Sequence, residues 1–110
     1  MRFLVTIDGS DIGAGMPAER LPQVVGQMVV PSLEQLAQWE DEGRIHGGGY
    51  AGARVGVFMI EADSTEELDQ LLASLPYWPI VKVEVKPLIA TRALFERARA
   101  VGQRMQERVR

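Results

Sequence analysis

The chain is expected to be a small α+β domain of order βαββαβ with an antiparallel sheet and an extra C-terminal helix. Three observations carry that expectation. Val81, Val83 and Val85 alternate with Lys82, Glu84 and Lys86, the period of a strand with one covered face. Pro76 and Pro79 stand just ahead of this run and end whatever helix precedes them. Ser64-Thr65-Glu66-Glu67 is a capping box, with Ser64 as cap and Glu67 reaching back, and it opens a helix carrying Leu68, Leu71, Leu72 and Leu75.

The other elements fall into place around these. Phe3 to Asp8 has the branched and aromatic content of a strand. Gly9 to Gly15 is a glycine-rich loop, and Pro17 suits the first turn of a helix. Leu21, Val24, Val25, Met28 and Val29 then recur at helical spacing. Pro31 interrupts them, because it has no N–H for the carbonyl of Gln27, so the helix is expected to kink there or restart with Ser32 as its cap. Leu33, Leu36 and Trp39 carry the apolar phase to Gly43, a stop signal. Arg44 to Ala51 and Arg54 to Ala62 read as a hairpin joined at Gly52. From about Thr91 a last helix presents Leu94, Ala98, Val101 and Met105. The order is that of the ferredoxin-like split βαβ arrangement. It divides into a domain over residues 1–90 and an amphipathic helix over 91–110.

Composition narrows the classes of function. At 110 residues with 46% hydrophobic content the chain is one domain, marginal when alone, so association is expected. With no cysteine there is no thiol nucleophile and no Cys-type zinc site, which fits a reducing cytoplasm. No segment approaches the length of a membrane span. The formal charge of −3 is uneven: from Arg92 onward six arginines face two glutamates, a balance of +4 that leaves −7 elsewhere. Those arginines read as the solvated face of a docking helix. Without interleaved aromatics they do not read as a nucleic-acid site.

Two motifs are declined. Gly13-Ala14-Gly15-Met16-Pro17-Ala18 matches a loose dinucleotide fingerprint, but it lies several residues beyond the strand, and Pro17 removes a phosphate-facing N–H. Asp8, Asp11, Glu61 and Asp63 match no calcium loop, and a single histidine makes no zinc set, so no metal is expected.

The segment Leu75-Pro76-Tyr77-Trp78-Pro79, leading to Glu84-Val85-Lys86-Pro87-Leu88, resembles the C-terminal signature of the muconolactone isomerase family. The likeness runs over roughly Met1 to Leu88 and includes Gly43, His46 and Gly52. It implies a ferredoxin-like unit whose sheet packs face to face on that of a second subunit, a dimeric α+β barrel, often in larger oligomers. It further implies a cleft for a small lactone and a proton moved between carbons to shift a double bond. In the enzymes the first long helix is rich in charged side chains. Here Gln23 to Pro31 carries none, and Glu34 is the nearest carboxylate, a candidate substrate contact.

Read from the residues, His46 is the only histidine and the natural proton carrier near neutral pH. On its strand it shares a face with Gly48 and Tyr50, and Gly48 leaves a gap between imidazole and phenol. His46 is thus the candidate acid or base and Tyr50 the donor to an enolate-like oxygen. Arg54 is the candidate carboxylate anchor, and Gly48 and Trp78 are candidate substrate contacts, Trp78 also serving to seal the domain. The same glycines equally suit a hairpin that seats another backbone closely. The resulting expectation is a cofactor-free, lactone- or enol-directed isomerase acting on a small molecule as a homodimer or larger homo-oligomer. The alternatives are a non-catalytic oligomeric accessory protein and a cofactor-free oxygenase using Trp39 or Trp78. Phe58, Ile60 and Tyr50 are expected on the bare face of the sheet.

Overall fold

The computed structural model describes residues 1–109. Four strands, β1 (Arg2–Asp8), β2 (Ile45–Gly49), β3 (Val55–Glu61) and β4 (Lys82–Leu88), form one antiparallel sheet in the order β2-β3-β1-β4. The helices lie on one side, giving the ferredoxin-like arrangement expected from the element order. Phe3, Val5 and Ile7 of β1 are buried and face those helices. Register does the rest, because Phe3 lies opposite Ile60 and Val5 opposite Phe58. Phe58 and Ile60 are therefore core residues, a correction to their expected place on the bare face. A one-residue alternation leaves no choice once β1 has committed its large side chains inward. Tyr50 lies past the end of β2, exposed in the hairpin turn.

The helix that follows β1 is built in pieces: α1 (Leu21–Val24), a π-helical segment (Val25–Val29) and α2 (Val30–Asp41). The interruption expected at Pro31 takes the form of this widened turn. The Val30 N–H reaches back to the Val25 carbonyl, and the dihedrals at Val29 (φ −71, ψ −53) and Val30 (φ −60, ψ −48) stay helical. Pro31 then falls in the first turn of α2, where a missing N–H is tolerated. Ser32 is not a cap. It is fully buried, its hydroxyl donating to the Met28 carbonyl (2.6 Å) and accepting from the Tyr77 N–H (2.9 Å). This one side chain ties the helix to the proline-bounded turn 45 residues away.

The end of α2 is a Schellman motif. Arg44 N–H bonds the Trp39 carbonyl, Gly43 N–H bonds the Glu40 carbonyl, and Gly43 takes φ +76. Helix α3 (Thr65–Ala73) starts as predicted, with the Ser64 hydroxyl accepting from Glu67 N–H (3.1 Å). The Glu67 carboxylate reaches one residue further back than a standard capping box, accepting from Asp63 N–H (2.8 Å) and from Arg44 (3.1 Å). Leu68, Leu72 and Leu75 join Leu36, Trp39 and Ile45 in the core. Helix α4 (Thr91–Val109) buries no residue, and the radius of gyration is 19.1 Å with a longest dimension of 71 Å. A globule of this length would have about 13 Å. Helix α4 therefore projects from the domain instead of packing on it. No helix among the described residues is long and apolar enough to cross a membrane.

Candidate functional site

Between the α1–α2 helix and the β2–β3 end of the sheet lies a cavity of about 630 Å³. Its floor is Ile7, Gly56 and Phe58, and Val25, Val29, Leu33 and Leu36 form the helix wall. The π-helical segment thus contributes both valines of the wall. Ile12 and Leu21 close over it from the glycine-rich loop and the start of the helix. That loop is tied down where it leaves β1. Gly9 N–H bonds the Arg54 carbonyl (2.8 Å), and Asp11 pairs with Lys82 across the loop's outer edge (2.8 Å). Ser10, through its hydroxyl and its backbone N–H, holds the Asp8 carboxyl below the usual range.

Three polar side chains line the cavity: Glu40, Arg54 and Tyr77. Glu40 sits in the last turn of α2, placed by the Gly43 cap, and Arg54 follows the hairpin turn, where Tyr50 N–H bonds the Val55 carbonyl and Gly52 takes φ +78. Both are exposed at the rim. Among the described residues Arg54 forms no ion pair, whereas Arg2 is paired with Glu61 and Arg44 with Glu67. Tyr77 belongs to the buried interior, only 5% exposed, and burial pushes its phenol up to about 12. At neutral pH it is a hydrogen-bond donor.

The expected site residues divide sharply. Arg54 and Gly48 line the cavity. His46 does not: its neighbour Ile45 is fully buried, so His46 and its partner Met59 project from the opposite, uncovered face of the sheet. Tyr50 is exposed outside the cavity, and Glu34 is exposed on α2 away from it. Trp78 and Trp39 pack in or against the core, and neither lines the cavity. The hairpin glycines have a packing role as well. A side chain at Gly47 would collide with the Val57 carbonyl, so the close approach of β2 to β3 requires glycine there. No group of three metal-ligating side chains occurs among the described residues.

Sequence reasoning missed Glu40, and of the two aromatics in the proline-bounded turn it took Trp78 in place of Tyr77. Glu40 lies seven residues past Leu33 and four past Leu36, a carboxylate in phase with the apolar stripe, and that phase was the available signal. Tyr77 and Trp78 are adjacent, and only the turn's geometry decides which one enters the cavity.

A family model described as muconolactone delta-isomerase matches residues 1–92. The chain belongs to the muconolactone delta-isomerase family. The fold agrees: the structure is similar to the crystal structure of a muconolactone isomerase, with a TM-score of 0.66 and 26% identity, covering 82% of this chain and 90% of the other. No curated protein sequence matches. The family match ends at residue 92, so nearly all of α4 lies beyond it.

Proposed function

We propose that the protein is an isomerase that moves a proton between carbons of an enolisable carboxylic acid or lactone bound in the helix–sheet cavity. Family membership supports the reaction type, and the convergence of Glu40, Arg54 and Tyr77 on one apolar cavity carries the assignment of roles. Arg54, which forms no ion pair among the described residues, anchors the substrate carboxylate through its planar fork. The Glu40 carboxylate removes a proton from a carbon next to the carbonyl, and the electron pair passes into an enolate. The Tyr77 hydroxyl donates a hydrogen bond to the developing oxyanion. Glu40 then returns its proton to the far carbon of the conjugated system, and the double bond has shifted with no atom gained or lost. The reaction as written calls on no group beyond these three side chains.

The working unit is proposed to be a homodimer or larger homo-oligomer formed on the bare sheet face, where Leu4, Thr6, His46, Val57 and Met59 lie. His46 is then an interface residue. Incubation in D2O with muconolactone, and with a butenolide acid carrying a naphthyl substituent, tests the assignment. Proton NMR should show catalysed deuterium uptake or isomerisation of at least one of them. Absence of both with the folded oligomer would remove the isomerase function.

A further inference from the structure

Resting on the isomerase function just proposed, we infer that the physiological substrate is a bulky, mainly apolar monocarboxylate, at least bicyclic or of equivalent bulk, and not a small polar lactone acid. The cavity measures about 630 Å³. That is in the middle of the range of about 300–1,000 Å³ that encloses drug-sized molecules. Its deep end is Ile7, Leu36 and Phe58, all buried and all without a polar atom in the side chain. The charged groups, Glu40 and Arg54, stand at the exposed rim. A small lactone acid held at the rim by Arg54 would leave the apolar end filled with water. Pushed inward, its several oxygens would lose their solvation against aliphatic and aromatic walls, with Tyr77 as the one side-chain partner.

An amphipathic ligand meets both ends at once. Its carboxylate stays at Arg54, its enolisable carbonyl lies between Glu40 and Tyr77, and a flat hydrocarbon body displaces water from the interior. The absence of charge from Gln23 to Pro31 follows from the same requirement, since Val25 and Val29 from that stretch form part of the wall against which this body packs.

Isothermal titration calorimetry on the full-length protein decides it, with 2-naphthylacetate, its uncharged counterpart 2-(2-naphthyl)ethanol, and muconolactone as probes. Naphthylacetate should bind more than about tenfold tighter than muconolactone, since two carbocycles bury well over two methylene equivalents. Arg54→Gln should weaken naphthylacetate by about tenfold or more and leave naphthylethanol nearly unaffected, as expected for a lost charge-assisted pair. Ala37→Phe, a substitution at an exposed lining position on α2, should narrow the cavity and erase the preference for the naphthyl acid. Equal or tighter binding of muconolactone overturns the inference. So does naphthylacetate binding indifferent to both substitutions, or no binding of naphthylacetate at all. These outcomes are separate from failure of the isomerase function, which would show as tight binding of a bulky acid with no catalysed proton exchange on either substrate.

Discussion

Arg54 is distinguished from Arg2 and Arg44 by what it lacks. Those two pair their guanidinium groups with Glu61 and Glu67, while Arg54, at the cavity rim, pairs with no carboxylate among the described residues. Arg54→Gln should therefore raise KM for a carboxylate substrate by about 10- to 100-fold, consistent with a charge-assisted hydrogen bond of about 1.5–3 kcal/mol, with kcat much less affected. Steady-state kinetics read this directly. Equal losses in kcat and kcat/KM would make Arg54 a transition-state group instead of an anchor. Tyr77 should behave in the opposite way, Tyr77→Phe lowering kcat by about 100- to 1,000-fold, as loss of an oxyanion donor does. Its ionisation also leaves a mark on stability. The folded state keeps the phenol proton to about pH 12, whereas an unfolded tyrosine releases it near about pH 10. Its contribution is whole below about pH 10 and is lost as pH climbs toward 12, because there the unfolded chain binds fewer protons. Urea midpoints at pH 8 and pH 11 should fall for the native chain and fall less for Tyr77→Phe.

At the scale of elements, the joint between the α1–α2 helix and the turn after α3 determines where Tyr77 sits. Ser32 bonds both sides of it, and burial makes its loss expensive. Ser32→Ala should cost about 1–3 kcal/mol, the penalty of leaving the Tyr77 N–H buried without an acceptor, measured by urea denaturation. A change under about 0.5 kcal/mol would show that the joint relaxes freely. Most of the elements were legible in the residues: the capping box at Ser64, the period switch after Pro79, and the stops at Gly43 and Gly52 all act locally and appear where expected. Pro31 was legible as an obstacle but not in its solution, since whether a helix breaks or widens depends on what the sheet packs beneath it. The site was legible only in part. Arg54 and Gly48 follow from hairpin position. His46 lies on the face away from the cavity, which the sequence could not show, because which face of β2 is covered depends on the register of β3 against β1, a long-range property. The same register sends Phe58 inward.

At the scale of the whole molecule, two surfaces are left uncovered, the sheet face carrying His46 and Met59 and the apolar stripe of α4. Along α4, Leu94, Ala98, Val101 and Met105 are flanked on one edge by Arg97, Arg104 and Arg108, while Arg92 and Arg99 lie toward the back with Glu96 and Glu107. Two such helices repel, but the −7 of the remaining chain attracts them, so α4 is expected to dock on the domain of another copy. Light scattering at micromolar concentration should find a dimer or larger assembly, and truncation before Thr91 should reduce its size or stability. A monomeric full-length chain contradicts the sheet-to-sheet association. A truncated chain that assembles as the whole does would confine α4 to a secondary role.

Proton transfer by Glu40 in the cavity is tested by deuterium uptake in D2O by a butenolide acid, followed by proton NMR for the native protein, Glu40→Gln and His46→Ala. The native protein and His46→Ala should exchange at similar rates, while Glu40→Gln should be slower by about 100- to 10,000-fold, the range of a positioned general base. Full exchange by Glu40→Gln, or its loss in a His46→Ala protein that still forms the native oligomer, would exclude Glu40 as the base and return the chemistry to the other face of the sheet.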